Sequence, residues 1–425
     1  MNAGLIVIIL LLVLSILGIP IYLALGIGTL VALNMADMPF IVLPQKLFAG
    51  MNSSSLLAIP FFMLAGNIMS RSITGKLIDV SNALIGWIKG SLAVVTVLAS
   101  ALFGAISGSG VATASAVGGT TIPAMKEEGY PDHFAAAISG IAAILGPIIP
   151  PSITLIVYAS ITDLSVSKLF VGSVIPGILM AVGLIIYALF YGKKNDLPAH
   201  ERKSAKEVLL IFKDSIWALL MPVIILGGIY SGLFTPTEAA AIAVFYGIIV
   251  SAFVYRNMGW KDFIHVLSAS ASSTASILFL VANAHIFSYL LSSEQIPQKL
   301  AILMTSLTTN PTMIMFLIMI VLLIAGCFLD NAVAVILLTP IFVNVVQAMN
   351  IDICYFGVFL VFVLAIGQVT PPVGLCLFVA CDIGKVSIEK ISREVLPYVG
   401  GLIVTAILLV LFPQIVTWLP SLTGL

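Results

Sequence analysis

Charge is what this sequence has least of. Only 8% of its 425 residues are Asp, Glu, Lys or Arg, against 61% hydrophobic, and the mean hydropathy is +1.21. No soluble packing arrangement hides that much apolar surface, so lipid must be the solvent. The 18 basic and 18 acidic residues cancel, leaving no basic face for nucleic acid. Cysteine is also scarce: Cys327, Cys354, Cys376 and Cys381 lie in or beside apolar segments and form no CxxC pair, which excludes a disulfide framework and a thiolate metal site. His265 and His285 have no partner at metal-binding spacing. HExxH, GxSxG, P-loop and dinucleotide fingerprints are missing, so neither intramembrane hydrolysis nor ATP-driven chemistry is encoded here. The first apolar run lacks a basic n-region and an obvious cleavage site, and reads as a first span, not a removable signal.

What is present is apolar sequence in blocks. A bilayer core about 30 Å thick takes roughly 20 apolar residues per helical span. About ten such blocks are predicted, at 4–17, 20–36, 51–70, 133–163, 169–192, 215–231, 236–256, 268–291, 355–383 and 395–418. Two further stretches, 91–125 and 311–347, are too long for one crossing and break in the middle, at Ser107-Gly108-Ser109-Gly110 and at Asp330-Asn331. They are read as re-entrant helical hairpins, because irregular backbone at membrane depth is tolerated where protein or a water-filled cavity surrounds it. The polar stretch 193–214 carries Lys193, Lys194, Arg202, Lys203, Lys206 and Lys213. Placing it in the cytoplasm puts 15 of the 18 basic residues inside and leaves only Lys46, Lys168 and Lys299 outside, the asymmetry of the positive-inside rule.

The chain also repeats itself. A shift of 221 residues aligns Gly146 with Gly367, Pro150-Pro151 with Pro371-Pro372 and Pro176 with Pro397, while Pro20 meets Pro236 and Ala65 meets Ala282 at slightly smaller offsets. Each copy holds five full spans, an odd number, so the second must sit upside down. The expected fold is therefore all-α: a polytopic membrane protein of two inverted repeats, residues 1–192 and 215–425, joined by a cytoplasmic linker at 193–214. Inverted repeats with Gly/Pro-interrupted segments in matching places point to a secondary transporter whose site lies near the midplane.

Interrupted helices expose backbone carbonyls and amides that something must satisfy. In the first half the candidates are Ser107, Gly108, Ser109 and Gly110, facing Gly146, Pro147 and Pro150; in the second they are Asp330 and Asn331, facing Gly367, Gln368 and Thr370. Hydroxyl, carbonyl and carboxylate oxygens are hard ligands, suited to Na+. Asp330 is the only carboxylate deep in an apolar stretch, and such a residue is costly enough to be a functional hypothesis by default. The alternative is that it caps the helix starting near Ala332; both roles can coexist. A proton relay needs a chain of ionisable groups, and one carboxylate is not a chain, which favours sodium. Ser107, Ser109, Ser152, Thr154 and Asp330 are candidate substrate contacts, with Tyr158 a weaker one. The returning stretch with Thr113, Ser115, Gly118, Gly119, Thr120 and Thr121 either lines an aqueous path or permits close helix approach. Asp382 reads as an interfacial cap.

At these residues the sequence resembles the large membrane subunit of tripartite ATP-independent periplasmic (TRAP) transporters. The likeness rests on Gly18-Ile19-Pro20, on Phe103 to Ser109 leading into Ala112-Thr113-Ala114, on Gly146 to Ser152 and on Gly232 to Ala240, and it covers essentially the whole chain. It implies a sodium-coupled importer of organic acids in the bacterial inner membrane, with the ion-transporter-superfamily elevator architecture. The implied transport domain is approximately 91–192 and 311–418, and the scaffold approximately 4–70 and 215–291. It implies partners too: a small four-span membrane subunit and a soluble periplasmic binding protein that delivers the substrate. Dicarboxylates, sialic acids, uronates and keto acids are all substrates within the family, and sialic acid is the leading specific expectation. Three rival readings are a stand-alone sodium/carboxylate symporter, which would need no binding protein, an ion channel, whose flux would neither saturate nor demand sodium, and a purely structural membrane scaffold, in which changing Asp330 would cost no transport.

Overall fold

The computed structural model describes residues 3–199 and 201–423, and among them every regular element is helical. The chain opens with α1 (Ala3–Ile16) and α2 (Ile21–Met35), followed by a short helix, α3 (Val42–Met51), and by α4 (Ala58–Ile85). The first hairpin is α5 (Ser91–Ser107) and α6 (Gly110–Glu127). Next come α7 (Asp132–Ala142), α8 (Ile153–Thr162) and α9 (Val166–Lys194). The second half runs α10 (Ala205–Tyr230), α11 (Pro236–Ile249), α12 (Trp260–Ser293) and α13 (Ile296–Leu307), then a second hairpin, α14 (Pro311–Phe328) and α15 (Asn331–Ala348). It closes with α16 (Ile353–Gly367), α17 (Leu375–Gly384), α18 (Ile388–Leu411) and α19 (Gln414–Thr423).

Eight of the described helices are long and apolar enough to cross a membrane: α4, α9, α10, α11, α12, α14, α15 and α18. The expectation of about ten spans is refined by three differences. The blocks 133–163 and 355–383 are each two short helices about a break, α7/α8 and α16/α17. The block expected at 51–70 begins later and runs through Arg71, Lys76 and Asp79 to Ile85, Arg71 and Lys76 being met there by Asp262 and Asp214 of other helices. Finally α3, α13 and α19 were not anticipated; at 10 to 12 residues they are too short to span and fall below the length that apolar runs reveal.

The repeat is visible in the elements themselves. From α5 to α9 each helix has a counterpart 220 to 222 residues on, from α14 to α18, as the helix starts at 91 and 311, 110 and 331, 132 and 353, 153 and 375, and 166 and 388 show. The peptide bonds Pro150-Pro151 and Pro371-Pro372 are both cis. The same close approach recurs in both halves. A Cβ on Gly104 of α5 would stand 2.8 Å from the Cα of Gly146, and one on Gly326 of α14 would stand 3.0 Å from the Cα of Gly367. Only glycine lets each hairpin arm lie backbone to backbone against the broken helix of its own half.

Polar side chains sort into two belts that agree with the inverted arrangement. Arg71 meets Asp262 at 2.6 Å, Lys76 pairs with Asp214, Lys89 pairs with Asp196, Lys126 reaches Asp132 at 3.1 Å and the Gly384 carbonyl at 2.8 Å, and Arg202 lies 5.3 Å over the Trp87 ring. Every one of these residues was assigned to the cytoplasmic side. The opposite belt joins Lys46 to the Tyr289 ring, Thr237 to the Ser54 carbonyl and the Tyr158 hydroxyl to the Ile353 carbonyl; Lys46 and Ile353 lie in segments expected outside, and the others near the outer ends of expected spans. Hairpins α5/α6 and α14/α15 thus enter from opposite belts.

Candidate functional site

The first hairpin turns at Gly108, whose φ of +61° is the left-handed conformation that closes α5. Ser109 follows in extended backbone and caps α6, its Oγ accepting from Ala112 N at 3.4 Å. Ser107 Oγ lies 3.2 Å from Thr113 Oγ1, which in turn donates to the Ser109 carbonyl at 2.7 Å. Facing this tip, the break after α7 is held by side chains: Ser152 Oγ donates to the Pro147 carbonyl, Thr154 Oγ1 reaches the same oxygen at 3.2 Å, and Ser152 caps α8 by accepting from Leu155 N at 3.3 Å.

The second hairpin turns with no positive φ. Leu329 and Asp330 are both extended, and Asp330 caps α15 through Oδ1, which accepts from Ala332 N at 2.9 Å. Its other oxygen, Oδ2, accepts from Gln368 Nε2 at 3.2 Å, tying the tip to the break after α16. Asn331 is 2% exposed, yet neither its amide nitrogen nor its amide oxygen has a partner. A buried primary amide without partners costs roughly 1–3 kcal/mol, so this position is built for something to meet it.

The two tips share one cavity of about 70 Å³. The first half contributes Gly108, Ser109, Gly110, Pro147, Ile153 and Thr154; the second contributes Asp330, Asn331, Ala332 and Gln368. Met63 of α4 and Ile277 of α12 close the remaining side. Of the residues singled out from sequence, eight therefore line a common space: Gly108, Ser109, Gly110, Pro147, Thr154, Asp330, Asn331 and Gln368. Ser107 stands directly behind Ser109, and Ser152 braces Pro147 from outside the wall. Gly146 and Gly367 serve the close helix approaches, Pro150 lies in its cis bond, and Thr370 returns its hydroxyl to the Ile366 carbonyl at 2.7 Å; none of these four is in the wall. Tyr158 spends its hydroxyl on Ile353, and Asp382, inside the last turn of α17 and not at a cap position, pairs with Lys385 at 2.9 Å. Sequence reasoning missed Met63, Ile153, Ile277 and Ala332, since single apolar residues in apolar helices carry no signal.

Chemically the wall offers one carboxylate, hydroxyls and an unmet amide beside the starts of α6, α8 and α15, with no cationic side chain. Helix N-termini favour anions, and the carboxylate and free carbonyls favour cations. One small space therefore suits both signs of charge.

The profile of the family described as "Tripartite ATP-independent periplasmic transporter, DctM component" matches residues 8–415. The chain belongs to this family of TRAP transporter large permeases. Among its relatives, the C4-dicarboxylate TRAP transporter large permease protein DctM of Pseudomonas aeruginosa is 42% identical over 381 residues, 89% of each chain. The sialic acid TRAP transporter large permease protein SiaM of Vibrio cholerae is 36% identical over 379 residues, again 89% of each. Among solved structures, the YdaH transporter of Alcanivorax borkumensis superposes with a TM-score of 0.65 at 14% identity over 87% of both chains, a likeness of fold. The chain is thus a multi-pass membrane permease, and its cavity sits where the two halves of that permease meet.

Proposed function

We propose that this permease imports an organic acid across the bacterial inner membrane by sodium symport, receiving its substrate from a periplasmic binding protein and working with a small four-span membrane subunit. The observation that carries the reading is the convergence of both hairpin tips and both helix breaks on one cavity that holds a carboxylate, an unmet amide and three helix N-termini. Sodium is co-transported, and its oxygen ligands come from Asp330 with the Gly367, Gln368 and Thr370 break in one half, and from Ser107, Ser109 and the Gly146–Pro150 break in the other. The acid's carboxylate is met at the helix starts of α6 and α8, because Asp330 already occupies that of α15 and no lysine or arginine lines the cavity. Substrate size follows from the space: about 70 Å³ holds water or ions but no organic acid until the walls part. C4-dicarboxylates and sialic acid, the cargoes for which the two relatives are named, are the compounds to test first.

The motion is an elevator. Helices α5–α9 and α14–α18 carry every polar group of the cavity and form the moving body; α1–α4 and α10–α12 supply only Met63 and Ile277 and form the scaffold. An apolar scaffold wall lets the site slide past without leaving a buried charge unpaired. The deciding experiment is uptake into proteoliposomes holding this chain and its small subunit, with and without a sodium gradient, the binding protein and each acid. Saturable uptake that needs both sodium and the binding protein is the expected result. Uptake without the binding protein would convert the reading to a stand-alone symporter, and unsaturable flux to a channel. Crosslinks pinning α15 to α12 should stop uptake, whereas crosslinks between α6 and α17 should leave it intact.

A further inference from the structure

On the cytoplasmic belt, away from the central cavity, α4 ends near Trp87 and the linker returns alongside it into α10. Between them lies a groove of about 670 Å³, within the ~300–1,000 Å³ of ordinary ligand sites. Its floor is Ala83; its apolar walls are Leu84, Val208 and Leu209, and its mouth carries Trp87, Arg202 and Lys203. Leu84 of α4 and Leu209 of α10 are 49% and 70% exposed, each on a helix long and apolar enough to cross a membrane. Arg202 lies 5.3 Å over the indole, and neither Arg202 nor Lys203 forms a salt bridge among the described residues.

The surrounding acids are already engaged. Lys89 holds Asp196, and keeps its carboxyl below the usual carboxylate range, while Lys76 holds Asp214. Glu207 accepts from the backbone and side chain of Ser204 in a capping box and so fills the N-terminus of α10. Glu201 does not line the groove. The result is Arg202 without an ion-pair partner among the described residues, Lys203 offset only through space by Glu207, and an interfacial tryptophan at the head of an apolar channel, at the depth where the cytoplasmic leaflet presents its phosphates.

We propose that this groove binds an anionic phospholipid of the cytoplasmic leaflet, its phosphate between Arg202 and Lys203 and one acyl chain along Leu84, Val208 and Leu209. The linker joining the two repeats is thereby fastened to α4 through the lipid. Recognition rests on side-chain charge and not on the helix end, which Glu207 occupies. The site is independent of sodium and of the transported acid.

The test uses the purified full chain in neutral-lipid nanodiscs, with phosphatidylglycerol and phosphatidylcholine as probes, read by native mass spectrometry and by thermal unfolding. Each basic residue near an anionic surface contributes roughly a fivefold factor in binding. Phosphatidylglycerol should accordingly be retained roughly 25-fold over phosphatidylcholine and should raise the unfolding temperature. The R202Q/K203Q variant should lose that preference, R202K/K203R should keep it, and K46Q/K299Q on the opposite belt should not change it. Equal retention of the two lipids, or undiminished preference in R202Q/K203Q, overturns the proposal. So does a thermal shift from inorganic phosphate as large as that from the lipid, since the groove would then be an anion site without an acyl channel. Because the readouts are lipid retention and stability, they stand or fall separately from uptake.

Discussion

The two hairpin tips solve one backbone problem with different chemistry. The first reverses through a left-handed glycine, Gly108, and caps its returning helix with a neutral hydroxyl, Ser109. The second reverses through extended residues and caps with a carboxylate, Asp330, which also reaches the opposing helix break through Gln368. Symmetry therefore constrains where the chain turns and not what the turn is made of. The first tip depends on shape, the second on charge, and that difference can be tested by asking which substitution each tip refuses.

The largest effect is expected at Asp330. Asparagine caps a helix about as well as aspartate, so Asp330→Asn keeps the hydrogen bond to Ala332 N and removes the charge, the Gln368 amide turning its oxygen toward the new NH2 group. Sodium-driven uptake should fall by two orders of magnitude or more, corresponding to about 3 kcal/mol, with thermal stability nearly unchanged. Uptake at limiting sodium within a few fold of the parent would remove Asp330 from the ion site.

Next comes Gly108→Ala. A Cβ there would meet the Pro151 carbonyl oxygen at 2.7 Å, and a left-handed residue other than glycine costs about 1–2 kcal/mol. Loss of folded protein, or an unfolding temperature several degrees lower, is the expected outcome in a chain whose second tip tolerates Asn331→Ala. The two substitutions should behave in opposite ways. Asn331→Ala deletes a buried amide that has no partner, so without sodium the protein should be as stable as the parent or more so. The stabilisation that sodium gives the parent should shrink in the variant. A sodium-dependent thermal shift of full size in Asn331→Ala would show that the amide waits for something else.

Much of this was legible in the sequence because a membrane simplifies the reading. Asp330 stood out because a carboxylate among apolar residues is expensive, and Ser107–Gly110 because two glycines interrupt a run otherwise fit for a helix. The repeat could be read from Pro150-Pro151 and Pro371-Pro372, since prolines punctuate a helix wherever they fall. What could not be read was whatever rests on apolar residues meeting across the fold. Met63 and Ile277 look like their neighbours until α4 and α12 are placed beside the tips. Helix ends were blurred for a related reason: α4 continues past its apolar block because Arg71 and Lys76 find Asp262 and Asp214 about 140 to 190 residues away in sequence, pairings no local window contains. The repeats also diverge between 42 and 85 and between 260 and 307. The first copy breaks before α4, at Asn52-Ser53, and the second after α12, at Gln295 with a φ of +57°, so a shift of the sequence against itself aligns these regions poorly.

The smallest expected effects separate the two serines of the first tip. Ser109 Oγ caps α6, and Ser109→Ala should cost about 1 kcal/mol of stability and take a hydroxyl from the cavity wall. Ser107 Oγ makes only long contacts, 3.2 Å to Thr113 Oγ1, 3.4 Å from Ser109 N and 3.5 Å to the Ser109 carbonyl, none of which terminates a helix. Thr113 keeps its own bond to the Ser109 carbonyl whether or not Ser107 is present. Ser107→Ala should therefore shift stability by less than about 0.5 kcal/mol, the range of a substitution that breaks no named device. Its effect on uptake is the informative quantity. If the first half holds its sodium by backbone carbonyls that the tip merely positions, Ser107→Ala leaves the sodium concentration for half-maximal uptake unchanged. If the hydroxyl itself is a ligand, that concentration rises several fold while stability stays put. Measuring both serine variants beside Asp330→Asn then ranks the first tip against the second on one scale, and a first tip as sensitive to loss of a hydroxyl as the second is to loss of charge would end the distinction between shape and charge drawn here.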